Sequence, residues 1–477
     1  MKKNFTANLF FLVVLNLLIK PIYIFGIEVG IQNSVGPAEY GLYYAMFNFT
    51  FLFNVLLDMG INNFQKIKVA QHAESGIANM ASLVPLKMEL AAVYMLVTVV
   101  IAMVMGFDER YWFFIGWLML NHVLSAFLLL LRANLSGLHL FLRDSIVSVI
   151  DRLLLVVGIG YVLWFGKSEF QIEWFALAQT GAYVVAILSA VVMLPAGSRF
   201  PKLNFSWEGG MQMLRQTWPF ALLILLMTAY NKLDGVMIER LAADGLTEAG
   251  IYAQAYRLID AGNSFAFLYA GMLLPVFARL YGSDRLSEIN SLINQGIRFL
   301  VLPAIIGAIC VWFYGGFMMD LLYDQMASES ALSFTWLMGS FICICLGYVF
   351  GTLLTAANRM REMNIAALLS VIANVGLNFF LIPTMGAEGA AIASFISLSL
   401  MAVAQLVFVF SSIKIGFQFD WLWRTVLVAF IATVAGYFIV DLIQESLQGL
   451  MALIAISALT YGLLGLKRSD LKTALPE

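Results

Sequence analysis

Apolar runs of 18 to 29 residues alternate with short polar breaks along the whole chain. A helix rises 1.5 Å per residue, so about 20 apolar residues cross the ~30 Å hydrocarbon core of a bilayer. Fourteen runs meet that requirement, near residues 9–31, 40–62, 84–105, 112–131, 146–165, 173–194, 217–239, 251–279, 297–319, 331–354, 364–384, 388–410, 425–442 and 448–466. The eighth is interrupted by "RLIDAGN" and the last two are short. The pattern predicts an all-α polytopic membrane protein with about 14 transmembrane helices. Composition agrees: 62% of residues are hydrophobic and 12% charged, about half the charge of a soluble domain.

An even number of spans puts both termini on one side. In loops, tails and span ends, that side carries nineteen Lys and Arg, and the opposite side carries Arg110, Lys167 and Arg240. The positive-inside rule makes the first side cytoplasmic, so both termini are expected there. The opening "MKKNF" precedes an apolar run without a small-residue cleavage pattern and reads as the start of a retained first helix.

The longest polar stretch, "PAGSRFPKLNFSWEGGMQMLRQTW", lies between runs six and seven. It predicts an N-terminal six-helix bundle over 1–195, a cytoplasmic linker over 196–216, a C-terminal six-helix bundle over 217–410, and two last helices with a cytoplasmic tail over 411–477. A faint internal echo supports two related bundles. "AEYGLYYAMF" enters run two and "TEAGIYAQAY" enters run eight, so Glu39, Gly41 and Tyr43 match Glu248, Gly250 and Tyr252 at an offset of 209. Six helices per half give a parallel pseudo-twofold along the membrane normal, an arrangement of alternating-access carriers.

No phosphate-binding loop, HExxH, paired CxxC or GxSxG occurs, so the residues indicate no enzyme, no cofactor, no metal site and no catalytic residue. The three cysteines, Cys310, Cys343 and Cys345, fall within apolar runs and imply no disulfide framework. A net charge of −2 gives no footprint for nucleic acid.

Chemistry is left to ionisable residues inside the spans, which are costly there and face interior cavities. Lys20 lies 12 residues into its run, about 18 Å deep, too far to snorkel cheaply. Eight residues separate it from Glu28, which places them about 12 Å apart along the axis and about 80° around it. Lys232 and Asp234 are two apart and point to nearly opposite sides, whereas Arg257 and Asp260 share a face and can pair. Asp151 and Arg152 lie in run five, and Asp58, Lys87 and Glu89 lie near the inner interface. Pro21 and Pro219 can kink runs one and seven and are candidate hinges.

The opening motifs carry a resemblance. Gly36, Tyr40, Gly41 and Tyr43, then Leu56, Leu57, Asp58, Gly60 and Ile61, match the "GxxxYGxY" and "LLDxGI" patterns, and "GAEGAAIAS" spans 386–394. The chain resembles Wzx-type flippases, the polysaccharide transporter family of the multidrug/oligosaccharidyl-lipid/polysaccharide exporter superfamily. The resemblance implies transfer of undecaprenyl-diphosphate-linked oligosaccharide across the bacterial inner membrane by alternating access, for O-antigen, capsule or exopolysaccharide assembly, beside a polymerase or glycosyltransferases. It implies anion contact by Lys20, Arg152, Lys232 and Arg257, and coupling of an ion, H⁺ or Na⁺, by Glu28, Asp234 and Asp260. Five intramembrane bases against six acids make no basic cavity visible by counting. A peptidoglycan-precursor (lipid II) flippase and a multidrug/cation antiporter of the same superfamily are the alternative readings. A membrane glycosyltransferase or polymerase needs a long outer loop, which the short outer loops here do not provide.

Overall fold

The structure, a computed structural model, describes residues 19–62, 65, 69, 73–166, 169–195, 207–413 and 420–465. The chain divides into two compact units, Met1–Glu239 and Arg240–Glu477. Among the described residues there is no strand.

The first unit opens with a π-helical segment, Ile22–Glu28, followed by α1 (Val29–Leu52) and the single turn α2 (Val55–Asp58). α3 (Ala73–Met105), α4 (Glu109–Gly137), α5 (Phe141–Phe165), α6 (Ile172–Met193) and most of α7 (Trp207–Leu241) complete it. Its core includes Leu128, Leu135, Val147, Ala186, Ala190 and Leu194, where α4, α5 and α6 interlock. Of the expected linker, residues 196–206 lie outside the described residues, and 207–216 form the first turns of α7.

The second unit holds α8 (Gly245–Gly282), the short α9 (Leu286–Gly296), α10 (Leu302–Leu322), α11 (Ala327–Ala356), α12 (Met360–Ile413), α13 (Asp420–Ile443) and α14 (Leu447–Thr460). Cys310, Tyr314, Ile439, Leu450 and Leu453 form a core where α10, α13 and α14 meet. The last helix is capped at its start: the Ser446 hydroxyl accepts from the Gly449 N–H at 3.2 Å.

Among the described residues, eleven helices are long and apolar enough to cross a membrane. Bends in place of loops account for part of the difference from the expected fourteen. In α1 the chain turns at Gly36 (φ 79°, ψ 169°), just before Pro37, and in α12 at Gly386 (φ 53°, ψ −128°). α12, at 54 residues, is long enough to cross twice. Val104, Phe380 and Leu442 stand 79–82% exposed. Such outward-facing apolar side chains suit hydrocarbon as the surrounding solvent, and the protein is multi-pass.

The echoed positions are buried alike but partnered differently. Tyr43 and Tyr252 are both fully buried, while Glu39 forms an ion pair with Arg110 and Glu248 accepts from the Ala387 N–H at 2.8 Å.

Candidate functional site

Pro21 has no N–H to donate. The chain after it widens into the π-helical segment, closed where the Val29 N–H reaches the Ile24 carbonyl five residues back. The hinge expected at Pro21 is thus a widened turn, of a kind that recurs at functional sites. The backbone is helical through position 219, inside α7.

Gly30 on this segment lets it approach α5 closely. A side-chain carbon at Gly30 would lie 3.2 Å from Leu163 Cδ1, and one at Gly26 would lie 3.9 Å from Trp164 Cζ2. From the other side, a carbon at Gly160 would lie 3.3 Å from Ile27 Cδ1. Small residues spaced by four are the usual device for bringing membrane helices together. Gly160 meets Ile27 and Leu163 meets Gly30, so the two segments run parallel.

That register sets the chemistry at one end of the seam. Lys20 is seven residues before Ile27 and Arg152 is eight before Gly160, which puts the two bases level. Arg152 and Arg132 both stand within electrostatic reach of the Lys20 ammonium. Lys20 and Arg152 are half-buried, and among the described residues neither pairs with a carboxylate. Arg132 is held by Asp144 at 2.8 Å (Nε to Oδ1). Like charges crowded away from bulk water raise the energy of the site, and an anion entering it lowers that energy. Arg132 lies in the last turns of α4, and its place near Lys20 is decided only by tertiary packing.

The other candidates fall elsewhere. Glu28 is buried at the far end of the π-helical segment, and the Gln32 side chain donates to its carbonyl at 3.3 Å. Lys232 lies in the first unit, its ammonium 5.9 and 5.7 Å from the ring centroids of Phe47 and Phe51. Those rings stack on one another, and the His122 ring sits 5.2 and 5.3 Å from them. His122 Nε2 shares a 3.1 Å hydrogen bond with the Thr50 hydroxyl. Asp234, two residues on, is buried, and Gly235 is pressed against Asn48 and Tyr44 of α1. In the second unit Arg257 and Asp260 form the anticipated ion pair at 3.5 Å.

Two further polar arrangements are built by the packing of apolar runs. Lys87 is 1% exposed and bonds Asp58 at 3.1 Å and the Ala126 carbonyl at 3.2 Å. A buried amide chain joins Tyr43, Gln179, Asn121 and Thr180: Gln179 donates to the Tyr43 oxygen at 2.8 Å, and the Thr180 hydroxyl donates to Asn121 at 2.6 Å.

Similarity to known proteins agrees with the bilayer reading. The chain is 28% identical over 224 residues to the Lipid III flippase of Escherichia coli (43% of this chain, 51% of that protein). It is 25% identical over 281 residues to the Probable flippase AglR of Haloferax volcanii (57% and 54%). The matched stretches therefore span about half the length of these curated relatives. Among solved structures it resembles the Lipid II flippase MurJ in its inward closed conformation, with a TM-score of 0.71, 13% identity, and 96% and 97% of the two chains covered. It also resembles an inward-facing multidrug resistance MATE family transporter of the MOP superfamily, with a TM-score of 0.66, 16% identity, and 82% and 94% covered. At these identities the structural likeness establishes the fold. The family model for polysaccharide biosynthesis proteins matches residues 5–281, more than half of the chain, and the chain belongs to that family.

Proposed function

We propose that this protein is a flippase for lipid-linked glycans, moving undecaprenyl-diphosphate-linked oligosaccharide from the cytoplasmic to the outer leaflet by alternating access. The observation that carries the reading is the pair of half-buried bases Lys20 and Arg152, which stand within electrostatic reach of each other without a carboxylate partner among the described residues and can compensate the charge a diphosphate brings into a low-dielectric interior. The Lys/Arg asymmetry supports cytoplasmic termini in the bacterial inner membrane, so the cluster faces the leaflet from which such a lipid is loaded. Glu28 and Asp234, both buried, are candidates to couple transport to H⁺ or Na⁺. Arg257 and Asp260, already paired, serve better as a structural link than as an anion contact.

A multidrug/cation antiporter of the same fold handles cationic cargo, for which the two bases Lys20 and Arg152 are unsuited. A lipid II flippase shares the diphosphate, and the identity of the accumulated lipid separates it from the first reading. The test is to delete the gene and label inner-leaflet lipid-linked glycan. Accumulation of an oligosaccharide-linked lipid supports the proposal. Accumulation of the peptidoglycan precursor moves it to the alternative, and an unchanged lipid pool removes it.

A further inference from the structure

The opposite end of the seam between the π-helical segment and α5 opens into a cavity of about 690 Å³ within the first unit, in the size range of small-molecule sites. Ser34 on its wall is 14 residues beyond Lys20, about 20 Å along a helix. The cavity is chemically unlike the basic cluster. Among the described residues its polar wall carries Glu39, Glu169 and Glu173 and one base, Arg110. Arg110 is ion-paired to Glu39 and lies within electrostatic reach of Glu173. Three carboxylates against one guanidinium make these described residues net negative, which disfavours phosphate and sugar acids. Ser34 and Gln171 add neutral hydrogen-bonding groups, and the half-buried Phe170, braced edge-on by Trp174 at 5.9 Å, offers a flat apolar face.

Carboxylates that accept, an amide and hydroxyl that do both, and an aromatic face suit one class of ligand. Sugar hydroxyls donate to carboxylates, and the apolar C–H face of a pyranose packs on a ring. We propose that this cavity is a binding subsite for uncharged sugar residues of the carried glycan. It would engage the head of the cargo while its repulsion of anions keeps the diphosphate out. The inference rests on the flippase reading for the source of the sugar, and on the wall chemistry for its class.

The test uses the full-length protein in lipid nanodiscs and saturation-transfer difference NMR with free methyl glycosides of N-acetylglucosamine, galactose, rhamnose and glucuronic acid. Saturation transfer to at least one neutral glycoside is expected, several-fold above that to the glucuronide. F170A, and separately the double variant E169Q/E173Q, should reduce it several-fold, and K20A should leave it in place. The subsite is overturned if no neutral glycoside receives saturation, if the signal survives both sets of substitutions, or if the glucuronide binds as well. Calcium binding that E169Q/E173Q abolishes, without any sugar signal, would assign the cavity to a cation instead. Sugar binding with an unchanged lipid pool after gene deletion would keep the subsite and remove the flippase reading. Lipid accumulation without sugar binding would do the reverse.

Discussion

The ammonium of Lys232, on the seventh helix, stands 5.7 Å from the centre of the Phe51 ring on the first. This seat, shared with Phe47 and backed by His122, satisfies the lysine through aromatic faces, whose negative quadrupole attracts a cation. It also explains how α7 holds to α1 at this level, together with the press of Gly235 on Tyr44.

A guanidinium can occupy the same seat, so K232R should keep the thermal stability of the parent in detergent. K232M should lose about 1 kcal/mol. Equal melting temperatures for the two variants would show that the aromatic seat contributes nothing.

The Lys87–Asp58 pair predicts an asymmetry. Lys87 is 1% exposed and Asp58 33%. D58A strands an ammonium with no route to water, a change that costs about 3–5 kcal/mol in buried pairs. K87M strands a carboxylate that water still reaches, so its loss is smaller. Fluorescence-detected size-exclusion after heating should rank the parent above K87M and K87M above D58A.

The bend in α12 predicts coupling between two positions. Gly386 holds φ at 53° and ψ at −128°, where a side chain is strained by about 1–3 kcal/mol. An added carbon there would also run into the Glu248 carboxylate. E248A removes the acceptor for the Ala387 N–H and should cost about 0.5–2 kcal/mol. G386A together with E248A should cost less than the two separately, since they share a contact. Strict additivity in thermal denaturation would contradict that sharing.

At the basic cluster, K20A and R152A should each weaken binding of a short polyprenyl diphosphate to the reconstituted protein about tenfold, which corresponds to about 1.4 kcal/mol. K20R should retain most of it, and the dependence on salt should flatten in both alanine variants. Undiminished binding in K20A, read by titration in nanodiscs, would take Lys20 out of the site. Export in cells should fall in step with binding while membrane insertion stays normal.

By itself the sequence determined the class of protein, the placement of most spans and the uneven distribution of basic residues between alternate loops. Each depends on a local quantity: apolar length against a 1.5 Å rise, and the tally of bases in short loops. It also showed that Lys20 and Glu28 cannot meet and that Arg257 and Asp260 can, because both statements follow from positions on one helix. Only the tertiary structure decided what lies beside each charge. Lys20 and Arg152 are more than a hundred residues apart and come level because Gly30 and Gly160 let two segments approach. The bends at Gly36 and Gly386 depend on backbone angles that hydropathy does not record. The aromatic seat of Lys232 and the acidic cavity beside Phe170 are likewise products of helix against helix. Depth in the bilayer is written along a helix, but neighbours are chosen across it, by packing between residues far apart in the chain.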